Sequence, residues 1–86
     1  MREPEFNQAV KVTVRFFGPL AETFGTPTLE IALLLGSTIQ DLANRLELGR
    51  SLEQGTRVAL NGVLCEVDEE IPDAAEVAFL PPVSGG

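Results

Sequence analysis

Val10, Val12, Val14 and Phe16 alternate with Lys11, Thr13 and Arg15, a period of two that puts the apolar side chains of residues 10–16 on one side of an extended strand. A strand with one buried face needs neighbours along its edges and a second layer over that face. The rest of the chain supplies both. Residues 28–34, rich in Leu and Ile, read as a second strand. Residues 57–60 and 63–67 read as two more around Asn61-Gly62, the strongest two-residue hairpin signal. Ile71-Pro72-Asp73 forms a turn ahead of a last strand at residues 76–80.

The covering layer is one main helix. Ser37 or Thr38 can cap its N-terminus, Gln40 or Asp41 three residues on can complete a capping box, and Ile39, Leu42, Ala43 and Leu46 recur at helical spacing. Gly49 is the expected stop, with Arg45 and Arg50 placed to suit the helix dipole. A shorter helical turn fits Leu20-Ala21-Glu22-Thr23-Phe24, between Gly18-Pro19 and Gly25. The expected fold class is therefore α+β, a mixed sheet of four to five strands packed on one main helix. Residues 1–9, polar and aperiodic, read as a flexible arm, residues 10–80 as the domain, and residues 81–86 as a flexible, extended C-terminal tail.

Side-chain parity divides the strands into a core face and an open face. Val77 and Phe79 share one face of the last strand, and Val63, Cys65 and Val67 share one face of the strand at 63–67. Assigning Val77, Phe79, Val63 and Val67 to the core leaves Leu80 and Leu64 on the open face, with Phe17 extending them into an apolar patch at the root of the tail. The alternative puts these side chains at the sheet edge or under the Pro72 loop. Cys65 reads as a small core hydrophobe, and Glu66, Asp68, Glu69, Glu70 and Asp73 as a solvated acidic face, without the ligand spacing of a calcium loop.

Composition narrows the function. Eighty-six residues make one domain, and six basic against thirteen acidic residues give a net charge of −7, which disfavours nucleic acid and anionic membrane surfaces as partners and favours a basic protein. No uncharged run approaches the roughly 20 residues that span a bilayer, and residues 1–9 do not resemble a secretory signal. A cytoplasmic location is the default expectation. Histidine is absent and Cys65 is the single cysteine, so the usual general base is missing and no metal site is expected. Such a chain is poorly equipped to be an enzyme on its own.

The sequence ends Pro81-Pro82-Val83-Ser84-Gly85-Gly86, directly after the apolar run Glu76-Val77-Ala78-Phe79-Leu80. Six extended residues reach roughly 20 Å, and each proline keeps the start of the tail extended and reduces the entropy lost on docking. Gly85 and Gly86 lack Cβ atoms, so a narrow tunnel can close on their backbone. The arrangement offers a carboxylate on a thin leash to a partner's active site.

Val12-Thr13-Val14-Arg15-Phe16-Phe17-Gly18, Ser37-Thr38-Ile39, Val58-Ala59-Leu60-Asn61-Gly62 and above all the segment from Glu76 to the Gly-Gly end resemble the small subunits of molybdopterin synthase. The likeness runs from about Lys11 onward and implies a ubiquitin-like β-grasp fold. It implies a sulfur carrier, with no permanently bound cofactor. An E1-like partner would use ATP to adenylate Gly86, a persulfide sulfurtransferase would convert the acyl-adenylate to a thiocarboxylate, and the tail, Pro81, Pro82, Val83, Ser84 and Gly85 included, would thread into the large synthase subunit. There the sulfur would pass to cyclic pyranopterin monophosphate, in a heterotetramer of two large and two small subunits. Leu80, Leu64 and Phe17 would dock the partners. A carrier for thiamine thiazole or another sulfur-insertion pathway, a ubiquitin-like protein modifier, and a plain interaction module are the alternatives.

Overall fold

The alternating segment is β1 (Ala9–Phe16), with Val10, Val12, Val14 and Phe16 buried, in the computed structural model, which describes residues 8–82. It is followed by α1 (Pro19–Phe24), β2 (Thr28–Leu34), α2 (Ile39–Arg45), α3 (Gly49–Glu53), β3 (Arg57–Leu60), β4 (Val63–Leu64) and β5 (Ala75–Leu80). The strands form a five-stranded sheet of order β2-β1-β5-β3-β4. β1 and β5 run parallel at its centre, and every other pair is antiparallel. The α+β class and the mixed sheet agree with the sequence reading.

Ile39, Leu42 and Ala43 of α2 are fully buried in one cluster with Val12, Val14, Val77 and Phe79 of the central strands. Phe16 lies between Phe24, stacked nearly parallel at 4.1 Å, and Phe79, at 6.3 Å between centroids. Ile71, from the turn before β5, closes the same core.

The start of α2 leaves none of its first donors unpaired. Thr38, not Ser37, is the N-cap: its Oγ1 accepts from the Asp41 N–H at 3.2 Å, and the Asp41 carboxylate accepts from the Thr38 N–H at 2.9 Å. The Ile39 and Gln40 N–H groups donate to the carbonyls of Glu69 and Val67 at 3.0 and 2.8 Å. Thr38→Ala removes one arm of the box, and chemical denaturation is expected to show a loss of about 1 kcal/mol. A loss below the measurement error would mean that the 67–69 carbonyls alone fix this end.

Gly49 does not end the helix. α2 stops at Arg45 with Leu46 as C-cap, Glu47 turns left-handed at φ 60°, and Gly49 opens α3. The Leu48 N–H donates to Ala43 and the Glu47 N–H to Asn44, which is a Schellman closure with glutamate in the usual glycine position. The turn brings Leu48 back into the core, where it is 4% exposed.

Two further expectations are corrected at the sheet margins. β1 begins at Ala9, which pairs with Leu34, so the domain reaches one residue into the expected arm; residues 1–7 lie outside the described residues. β4 is two residues long, and Val63 and Val67 are 67% and 37% exposed, not core. Val63 faces the core side, opposite Leu60, yet it stands on the edge strand beyond the helical cover. After Cys65, whose N–H still donates to Val58, the chain leaves the sheet to cross the N-terminus of α2. The hairpin itself turns as expected, with Asn61 and Gly62 at φ 51° and 86°. Asn61 also exchanges hydrogen bonds with the Glu76 backbone, tying the turn to β5.

Candidate functional site: the open sheet face and the exit of β5

Register places the open face residue by residue. Leu64 opposes Ala59, Ala59 opposes Ala78, and Ala78 opposes Arg15, so one row crosses β4, β3, β5 and β1 on the side away from α2. Two positions further along β5, Leu80 lies opposite Arg57. Phe17, just past β1, is 39% exposed and carries the Arg15 guanidinium 5.8 Å from its ring centroid. Leu64 is exposed and Leu80 half-buried. The three apolar residues expected at the root of the tail therefore share one face.

Charged side chains lie at the edge of the patch. Arg57 and Arg15 border it, and Arg15 reaches Glu76 at 3.1 Å. Both ends of that ion pair are about half exposed, so it adds little to stability. It does hold the guanidinium beside the Phe17 ring. Pro81 and Pro82 are exposed immediately after β5. Val83, Ser84, Gly85 and Gly86, on which the expected chemistry rests, lie outside the described residues.

Cys65 is half-buried against the core. Burial pushes its thiol pKa up, the carboxylates of Glu69 and Glu66 push it further, and a hydrogen bond involving the Leu60 backbone pulls the other way. It stays a neutral thiol near pH 7, in keeping with a packing role. The side chains of Glu66, Asp68, Glu69, Glu70 and Asp73 are exposed, while the backbone of this run serves as the cap of α2 and Asp73 accepts from the Lys11 N–H at 2.8 Å. Among the described residues, no group of three or more His, Cys, Asp or Glu side chains could hold a metal, and no helix is long and apolar enough to cross a membrane.

An open groove of about 600 Å³ beside β3 and β4 was not anticipated. Leu52, Val58, Leu60, Val63, Cys65 and Val67 contribute its apolar lining. It exists because Val63 and Val67 are not covered. The signal that could have found it is the density of acidic residues from Glu66 onward, which marks a chain leaving the sheet.

Residues 14–86 match the ThiS family. The chain belongs to that family. Over 81 residues it is 33% identical to the molybdopterin synthase sulfur carrier subunit of Escherichia coli, covering 87% of this chain and 99% of the relative. Among solved structures it resembles the small archaeal modifier protein 1 of Methanosarcina acetivorans, at TM-score 0.67 and 26% identity, over 91% of this chain and 98% of that one. It also resembles a chain of the complex of subunits 1 and 2 of molybdopterin-converting factor from Helicobacter pylori, at TM-score 0.61 and 27% identity, over 90% of this chain and all of that one. The mixed sheet on its helical layer in this ThiS-family chain is the ubiquitin-like β-grasp fold expected from the sequence.

Proposed function

We propose that this chain is the sulfur carrier of molybdenum cofactor biosynthesis, a non-catalytic subunit working in the cytoplasm. The observation that carries the reading is the reach of the family match, which runs through residue 86 and so includes the Gly-Gly end. The E. coli relative bears the same function in its name. A carboxylate is a poor electrophile until it carries a good leaving group. An E1-like enzyme therefore uses ATP to make the Gly86 acyl-adenylate and releases pyrophosphate. The outer sulfur of a persulfide donor then displaces AMP to give an acyl disulfide, and a second thiol attacks the donor's sulfur, breaking the S–S bond so that the thiocarboxylate leaves and the donor ends as a disulfide. Gly86 holds the reacting carbonyl, Gly85 gives clearance, and Ser84, Val83, Pro82 and Pro81 thread the tail. The large synthase subunit is the acceptor, and its site delivers the sulfur to cyclic pyranopterin monophosphate. The complex of subunits 1 and 2 from H. pylori supports a partner of this kind.

Leu64, Leu80 and Phe17 form the docking surface, with Arg15 and Arg57 at its border. A charge placed in an apolar contact is desolvated without a partner. Leu64→Asp is accordingly expected to weaken binding to the large subunit by roughly 2–5 kcal/mol, read by titration calorimetry, with little change in melting temperature because Leu64 is 50% exposed. Unchanged affinity would remove Leu64 from the interface.

The likeness to an archaeal modifier supports a second reading, transfer of Gly86 to lysines of other proteins. One experiment separates the two. The protein is incubated with ATP, a persulfide source and the activating enzyme, and the C-terminal fragment is analysed by mass after thiol alkylation. Sulfur located on Gly86, and its loss on adding the large subunit and pterin precursor, supports the carrier. Sulfur on Gly86 that the precursor does not discharge points instead to another insertion pathway, and Gly86 joined to lysine to the modifier.

A further inference from the structure

The sheet order brings two glycine turns to the exit of the tail. β5 lies between β1, parallel to it, and β3, antiparallel to it, so the end of β1, the start of β3 and the end of β5 all lie at one end of the sheet. The registers Phe16↔Phe79 and Arg57↔Leu80, each carried two residues outward, set Gly18 beside Pro81 and Gly55 beside Pro82. The atomic contacts agree with this extrapolation. A Cβ placed on Gly18 would lie 3.5 Å from Pro81 Cγ, and one placed on Gly55 would lie 3.0 Å from Pro82 Cβ. Both glycines have positive φ, 61° and 108°, a conformation that favours glycine; at Gly18 the ring is at ordinary contact distance, and at Gly55 an added Cβ would also crowd it.

We propose that Gly18 and Gly55 are positioning residues: the two turns form a two-sided guide for the Pro81-Pro82 step and fix the place and direction in which the reactive tail leaves the domain. The proposal rests on the carrier reading for its consequence but not for its geometry. Proline locks its own φ and restricts the residue before it. Holding one ring from each side therefore orients the chain at Pro82 itself. Docking of the open face then presents the terminus at a set offset from the body, which matters because misplacing a reacting group by about 1 Å can cost about a hundredfold in rate. Neither proline is buried, so the guide steers the tail and does not contribute to the core.

Gly55→Ala tests the guide. Its Cβ would meet Pro82 Cβ at 3.0 Å, tighter than nine in ten real Cβ contacts, so the ring must give by a few tenths of an ångström. Gly36→Ala is the control, since Gly36 also has positive φ, 92°, but nothing lies within 4 Å of an added Cβ; it introduces the same kind of backbone strain away from the tail. Pro82→Gly releases the ring without touching either turn. Two readouts are used. The first, which needs no partner, is the set of residual dipolar couplings of the Val83 and Ser84 amides; these are expected to change in Gly55→Ala and Pro82→Gly and to stay at wild-type values in Gly36→Ala. The second is the kcat of sulfur loading, expected to fall about tenfold to a hundredfold in Gly55→Ala and Pro82→Gly, while Gly55→Ala still competes with wild type for the activating enzyme at unchanged affinity.

Wild-type couplings in both Gly55→Ala and Pro82→Gly overturn the guide, as does an equal kcat loss in Gly36→Ala. If wild type itself takes up no sulfur, the carrier reading fails, and the couplings alone decide whether the guide exists.

Discussion

Removing Gly86 is expected to abolish sulfur loading while leaving the fold intact. The shortened chain still ends in a carboxylate, now on Gly85, but that group sits about 3.5 Å short of where the activating site would act. A displacement of that size exceeds by several times the error that already costs about a hundredfold, so loading should fall at least that far and in practice below detection. Melting temperature should not change, because the core elements lie within residues 9–80. Extension past Gly86 by a short tag is expected to have the same effect, since it converts the carboxylate into an amide. The check is mass analysis of the C-terminal fragment beside a thermal melt of the same sample. Loading of the shortened chain at the wild-type rate would mean that Gly86 does not carry the reacting group, and the carrier reading would go with it.

Phe79→Ala gives the largest expected loss of stability. The ring is fully buried, stacks toward Phe16 at 6.3 Å, and belongs to the central strand of the sheet. Truncating a buried phenylalanine costs about 3–5 kcal/mol. A domain of this size holds roughly 4–13 kcal/mol in all, at about 0.05–0.15 kcal/mol per residue. The variant should therefore lose about a quarter or more of its stability, or fail to fold. A urea titration measures the loss, with Leu80→Ala on the opposite, half-exposed side as the comparison, expected to cost less. Equal losses would mean that the two faces of β5 do not differ as their burial indicates.

What was legible in the sequence was local. The alternation in β1, the limits of β2, the Thr38–Asp41 box and the Asn61-Gly62 turn each follow from a few adjacent residues whose own conformational preferences agree with the fold. Parity also carried the open face, because Leu64 and Leu80 must lie on the side opposite Val77 whatever covers the core. Cover itself was not legible. Val63 has the parity of a core residue and is still exposed, because burial depends on how far the helices extend over an edge strand, and that is set by distant parts of the chain. Glu47 escaped for another reason: a helix ending on a left-handed glutamate has no composition signal, and Gly49 nearby offered a more familiar stop.

The parallel pairing of β1 with β5 joins Val12 to Ala75, and Phe16 to Phe79, across most of the chain. Contacts so distant in sequence form only at a large cost in chain freedom. Ala78 and Leu80 supply the middle of the apolar face, and Pro81 follows them directly. The open apolar face and the root of the tail are thus completed together, by the seating of the last strand. A partner that recognised the assembled face would therefore meet only chains in which the last strand, and with it the root of the tail, is in place.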